Sequence, residues 1–173
     1  MPKLNAAFWK WFGKSKVVDA DGKPLVVYHG DRPNKTQFTG REDKSKYIQG
    51  NVFFTDSPYI AQWYTKPRYN ACVKSAENMR ESDGLYRVYL SLQRPLRVDA
   101  KGEAWLNIRY KGNTMSIDYL AVAARKQGYD GLIVSDVGDQ FGHGTQYVAF
   151  HPSQIKSIDN DGTWDADDPD ITS

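Results

Sequence analysis

The chain reads as an α+β fold built around one mixed sheet, and three observations predict it. Short apolar runs of strand character recur at residues 25–28, 52–55, 85–92, 132–134 and 147–150. Helical periodicity is confined to a few segments, clearest over 116–127. Strands and helices do not alternate regularly, which argues against a doubly wound parallel sheet.

The elements follow in order. Phe8, Trp9, Trp11 and Phe12 crowd a short amphipathic helix that Gly13 closes, with aromatics suited to plugging the edge of a core. Asp21-Gly22 is a tight-turn signal between 16–18 and the strand 25–28, which predicts a hairpin. Residues 31–49 are polar and punctuated by Pro33, Gly40 and Gly50, a functional or mobile loop by its length. The strand 52–55 leads to Asp56 or Ser57 as the cap of a helix with Pro58 in its first turn, running through Ile60, Ala61 and Tyr64. Residues 66–84 are weakly patterned, with a short helix near 75–80. Strands at 85–92 and 95–98 precede two helices, 103–110 and 116–127. The second is amphipathic through Ile117, Leu120, Ala121 and Ala124 and stops at Gly128. Buried-type strands at 132–134 and 147–150 and a last one at 155–158 complete the sheet.

A chain of 173 residues fits one domain, 1–173, with 159–173 as an acidic tail expected to be flexible. A net charge of +2 implies no strong electrostatic partner by itself. Its distribution says more: Lys3, Lys10, Lys14, Lys16, Lys23, Arg32, Lys35, Arg41, Lys44 and Lys46 make a basic front, while six aspartates crowd 159–170. That front could hold pyrophosphate or nucleic acid, or serve only as a solvated face. Cys72 is the sole cysteine, so an intrachain disulfide and a thiolate zinc site are excluded. No apolar stretch reaches about 18 residues and no signal-peptide core opens the chain, so a soluble, cytoplasmic protein is expected, in the producing or a target cell.

Among candidate chemical groups, His29 ends an apolar strand and Gly30 follows at once, a place where a ligand can approach the backbone closely. His29, His143 and His151 lack metal-ligand spacing, so no metal is expected. Cys72 pairs with a histidine only by tertiary accident. Gly138, Gly142 and Gly144 precede a strand and not a helix, which does not read as a phosphate cradle. Phe54 and Tyr147 alternate away from their neighbours and are assigned to the core.

Three motifs in order carry a family resemblance: Tyr28-His29-Gly30, then Asn51-Val52-Phe53-Phe54-Thr55-Asp56 with Ala61 and Tyr64, then Gln146-Tyr147-Val148-Ala149-Phe150 at the start of a strand. With Phe8 to Gly13, Tyr129-Asp130-Gly131-Leu132-Ile133 and Pro152-Ser153-Gln154-Ile155-Lys156-Ser157, the similarity covers most of the chain. The chain resembles the ADP-ribosyltransferase superfamily on its diphtheria-toxin and poly(ADP-ribose) polymerase side, and most closely the domains of phage and mobile-element polyvalent proteins and toxins. The resemblance implies a split β-sheet core with an NAD cleft and flanking helices, and NAD as substrate. It implies His29, Phe53 and Gln146 as catalytic residues, and His29, Gly30, Arg32, Phe53, Ala61 and Tyr64 as NAD-binding ones. His29 would bond a ribose hydroxyl and the Gly30 backbone the nicotinamide amide. Phe53 and Tyr64 would stack on the ring, and Arg32, Lys35 or Arg41 would meet the pyrophosphate.

Three positions depart from the family pattern. Phe53 stands where tyrosine is usual, Ala61 where serine is usual, and Gln146 where glutamate is usual. A carboxylate steadies an oxocarbenium-like ribose, whereas an amide only hydrogen-bonds. The amide fits a natural mono-transferase, a degenerate NAD binder, or a substitution that silences a toxic enzyme. The implied activity is mono-ADP-ribosylation of a macromolecule, protein or RNA or DNA, by a phage or bacterial toxin or effector with a cognate antitoxin or immunity protein and no membrane partner. The alternatives are a weakened NAD- or nucleic-acid-binding module of the same fold and an NAD glycohydrolase.

Overall fold

The computed structural model describes residues 4–43 and 48–173, with the side chains of 41–43, 48 and 49 outside that description. Lys3, Lys44 and Lys46 of the basic front, and the Arg41 side chain, therefore lie outside the described residues. The strands are β1 (Val27–Gly30), β2 (Arg41–Asp43), β3 (Ile48–Thr55), β4 (Leu85–Leu90), β5 (Pro95–Asp99), β6 (Ile108–Tyr110), β7 (Asn113–Met115), β8 (Gly131–Asp139), β9 (Gly142–Ala149) and β10 (Ile155–Ser157). The α-helices are α1 (Ala6–Phe12), α2 (Pro58–Gln62), α3 (Tyr69–Val73) and α4 (Ile117–Lys126). Among the described residues one sheet runs in the order β10-β4-β1-β3-β9-β8-β5, with β2 added against β3. Its pairings are antiparallel except for β5 beside β8. This is the α+β architecture that the irregular order of elements predicts.

The sheet is buried on both faces, for the alternation reason that governs any strand. Val52, Phe54, Ile133, Tyr147 and Ala149 pack on one face with Val27, Tyr86 and Val88. Leu132, Val134 and Val148 face the other way, onto Leu120, Ala121 and Ala124 of α4. Ser116 caps α4, accepting a hydrogen bond from the Tyr119 amide, and Gly128 follows its end at φ 80°. Across the sheet edge, Phe8, Trp11 and Phe12 of α1 join Tyr89 and Trp164 in an aromatic cluster. No helix among the described residues is long and apolar enough to cross a membrane.

Several local expectations are corrected. Residues 103–110 are not a helix: Ile108–Tyr110 pairs with Asn113–Met115 in a hairpin. Its two-residue turn, Lys111-Gly112, has both φ angles positive (49° and 79°), a turn that winds with the strand twist. The hairpin at Asp21-Gly22 is reduced to a turn and one bridge, Val18 with Pro24. The helix after Ser57 ends at Gln62, so Tyr64 sits in the turn beyond it. The loop after His29 is pinned over 31–40, where the buried Tyr86 hydroxyl donates to the Arg32 carbonyl and accepts from the Lys35 amide. Gln146 does not open a strand: β9 starts at Gly142, because the glycine-rich segment forms the β8–β9 hairpin with Gln140-Phe141 as its turn.

The acidic segment 159–173 folds back onto the body instead of hanging free. Trp164 and Ile171 are buried, and the Ile171 amide donates to the Thr36 carbonyl. The fully buried Lys156 ammonium donates to the carbonyls of Asp168 and Asp170 at 2.9 and 2.7 Å. Burial pulls its pKa down, and the carboxylates of Asp168, Asp165, Asp170 and Asp161 oppose that. The aspartates thus compensate a buried cation. Trp164→Ala should cost about 3–5 kcal/mol by opening a cavity beside Phe8 and Trp11, a loss that a urea unfolding curve will show as a lower midpoint at unchanged slope.

Candidate active site

The sheet splits between β1 and β3. The two strands meet at a single residue pair, Tyr28 with Thr55, and then diverge. His29 spans the divergence: its Nδ1 lies 2.6 Å from the Phe53 carbonyl oxygen. A carbonyl only accepts, so Nδ1 carries the proton and donates, which leaves Nε2 as the other functional nitrogen. That atom stands 3.5 Å from Asp31 Oδ2. The ring is fixed by Phe38, whose centroid lies 4.9 Å away, and by Phe54 at 5.3 Å.

Gly30 has a stricter role than admitting a ligand. A Cβ built there would collide with the Ala61 carbonyl and crowd the backbone at Tyr64 and Thr65. Glycine is therefore what lets the end of α2 nest directly on β1. That nesting sets Ala61 and Tyr64 opposite the split.

The result is a cleft of about 390 Å³ whose walls include His29, Gly30, Phe53, Ala61, Tyr64 and Gln146. Direct cross-strand partners point to the same face, so Thr55 and Val134, opposite Gln146, share its side of the sheet, as Val148 does with Phe53. Arg32 is not among the lining residues; its side chain is exposed and its carbonyl is taken by Tyr86. Lys35 is engaged by Asp31, with Nζ 2.7 Å from Oδ2.

Sequence reasoning passed over Trp105, Asp118, Asp139 and Gln140, which also line the cleft. Trp105 lay in a segment read as a helix. The Asp139 side chain accepts from the Tyr64 hydroxyl at 2.5 Å through Oδ2 and from the Phe141 amide at 2.9 Å through Oδ1. Burial and that hydrogen bond push the Tyr64 phenol up to about 12, so it stays a donor at neutral pH. Buried Asp118, in the first turn of α4, accepts a long 3.4 Å bond from Asn51, whose own carbonyl takes a bond from Arg125. Among the described residues, two aspartates and no lysine or arginine line the cleft. Such walls favour a cationic aromatic group over an anion.

Asp31 ties this site to its neighbouring loop. Burial acts to raise its pKa, yet the adjacent His29 ring, the Lys35 ammonium and the Arg32 amide outweigh burial and hold the carboxyl far below the usual carboxylate range. A depressed folded-state pKa adds stability that is complete above the unfolded value near ~3.9 and is lost as pH falls toward the folded value. Asp31→Asn should accordingly be less stable than the parent at pH 7, and the gap should close progressively below about pH 4. Melting temperatures of both proteins across that range measure it; a gap that is constant with pH would contradict the pairing.

Two comparisons bear on this geometry. The chain matches no curated protein. The sequence profile of the ADP-ribosyltransferases in polyvalent proteins aligns with residues 19–164, a span that takes in β1, β3, α2, α4 and β9 and hence every wall of the split-sheet cleft. The chain therefore belongs to the family of ADP-ribosyltransferase domains of polyvalent proteins.

Proposed function

We propose that this domain is an NAD-dependent mono-ADP-ribosyltransferase acting on a macromolecular acceptor. The observation that carries the reading is the convergence of His29, Gly30, Phe53, Tyr64 and Gln146 on one aspartate-lined cleft at the divergence of β1 and β3. In this reading the cationic nicotinamide stacks between Phe53 and Tyr64, and its amide meets the Gly30 backbone. His29 bonds a ribose hydroxyl through Nε2, with Nδ1 committed to Phe53. Gln146 faces the ribose and hydrogen-bonds it or the acceptor.

Holding NAD bent with its leaving group between aromatic walls aligns the glycosidic bond for attack. The acceptor adds its lone pair to C1 of the nicotinamide ribose as the C–N bond breaks. Nicotinamide leaves neutral with the electron pair of that bond, and the acceptor's displaced proton passes to water. Because Gln146 brings no charge to a growing chain end, single transfer is favoured over polymer formation. An effector or toxin role, with a cognate immunity protein, belongs to the same proposal.

A second reading is favoured by one observation. The amide at Gln146, in the position where the family usually has a carboxylate, suits a weakened NAD binder. Nicotinamide release from NAD separates the two. His29→Ala should abolish release while leaving the fold intact, and Tyr64→Ala should weaken NAD binding by about 1–3 kcal/mol in a calorimetric titration, from lost ring contact. A His29→Ala variant that turns NAD over like the parent would remove the site assignment.

Gln146→Glu should raise turnover, since a carboxylate steadies developing positive charge on the ribose better than an amide. Each tenfold gain equals about 1.4 kcal/mol of added transition-state stabilisation. A loss of turnover in Gln146→Glu would instead make the amide native to the chemistry.

A further inference from the structure

Beside the cleft runs a surface strip with an unusual composition. Residues 57–76 contain no aspartate or glutamate but carry Lys66, Arg68 and Lys74 with Tyr59, Trp63, Tyr64 and Tyr69. Lys74 is engaged by Asp83 at 2.6 Å, whereas Lys66 and Arg68 are exposed. Tyr59 and Tyr69 are 57% and 69% exposed, far more than rings of the core. The aromatic rings are also ordered. Tyr59 meets Trp63 edge-on at 6.2 Å, and Trp63 stacks on Phe141 of the β8–β9 turn at 5.9 Å and 22°. Phe141 meets Tyr64 edge-on at 5.4 Å, and Tyr64 is a wall of the cleft. The Arg68 guanidinium lies 5.6 Å from the Phe141 centroid. A row of aromatic rings, with Arg68 over Phe141, thus leads from the exposed Tyr59 to the cleft wall at Tyr64.

We infer that this strip binds single-stranded nucleic acid and that the ADP-ribose acceptor is a nucleotide delivered along it. The inference rests on the transferase reading for its second half only. Aromatic rings offered to solvent beside cations match a polymer that carries flat bases and a phosphate at every step. An acidic peptide would satisfy Lys66 and Arg68 but has no matching use for the rings. A duplex keeps its base faces stacked internally and cannot use them either. The transfer step is the one already written, with a nucleophilic atom of the nucleotide as acceptor. Its lone pair forms the bond to the ribose, nicotinamide departs with the C–N pair, and the displaced proton goes to water.

The test has two arms on the full chain. In the first, fluorescence anisotropy follows labelled oligo(dT), oligo(rU) and a DNA duplex. The single strands should bind more tightly than the duplex. Tyr59→Ala should weaken single-strand binding about tenfold, and Arg68→Ala should weaken it while lowering the salt slope by about one. Both side chains are exposed, so neither change threatens the fold. In the second arm, radiolabelled NAD is supplied with total RNA, denatured DNA and protein extract. Label that nuclease releases and protease does not supports the inference, and its preference for RNA or DNA names the strand. Tyr59→Ala should lower that transfer several-fold while leaving nicotinamide release to water unchanged. Label carried only on protein, tighter duplex binding, or oligonucleotide binding indifferent to both substitutions would overturn it. Failure of the transferase reading looks different: no nicotinamide is released in any mixture, while the binding arm still decides the surface.

Discussion

The divergence of β1 from β3 is the constraint on which the rest of the site depends. Two strands that pair at one position and then part would leave backbone groups unsatisfied inside the sheet. His29 answers for one of them by donating Nδ1–H to the Phe53 carbonyl. The imidazole is thereby locked in one tautomer and one orientation, and its second nitrogen is aimed by structure alone. A side chain oriented by the same bond that repairs the sheet cannot move independently of the fold.

Around that split, the cleft is assembled by close approaches that few side chains permit. Gly30 admits the Ala61 carbonyl, and this brings the turn carrying Tyr64 onto the far wall. The β8–β9 hairpin reaches over from the opposite side, and Asp139 takes the Tyr64 hydroxyl. A wall residue is thus held from two distant parts of the chain. Tyr64 also becomes electron-rich, since its phenol donates to a carboxylate.

Charge is arranged by region and not in bulk. Among the described residues the cleft holds two aspartates and no cation, while the segment 57–76 outside it supplies lysine and arginine and no acid of its own. The near-neutral total hides this contrast. The acidic C-terminal segment belongs to a third region, where carboxylates and carbonyls surround a buried lysine and seal the aromatic cluster of α1.

The sequence by itself determined the class of the fold, the strand ends that carry His29 and Gly30, a cap at Asp56 or Ser57 before α2, the amphipathic α4 with its stop at Gly128, and the core roles of Phe54 and Tyr147. These are legible because they depend on local signals: alternation, caps, glycine stops and motif order. It misread 103–110 as a helix, although Ala104, Leu106 and Ile108 recur every second residue, the period of a strand, and the Lys111-Gly112 turn decides the pairing. It took 159–173 for a free tail because aspartate content says nothing of Lys156 buried beneath. Only the tertiary structure brought Asp139 to Tyr64, Trp105 and Asp118 to the cleft, and Arg68 to Phe141. The physical reason is common to all: these contacts join residues tens of positions apart, and no local pattern encodes which surfaces meet when the sheet closes.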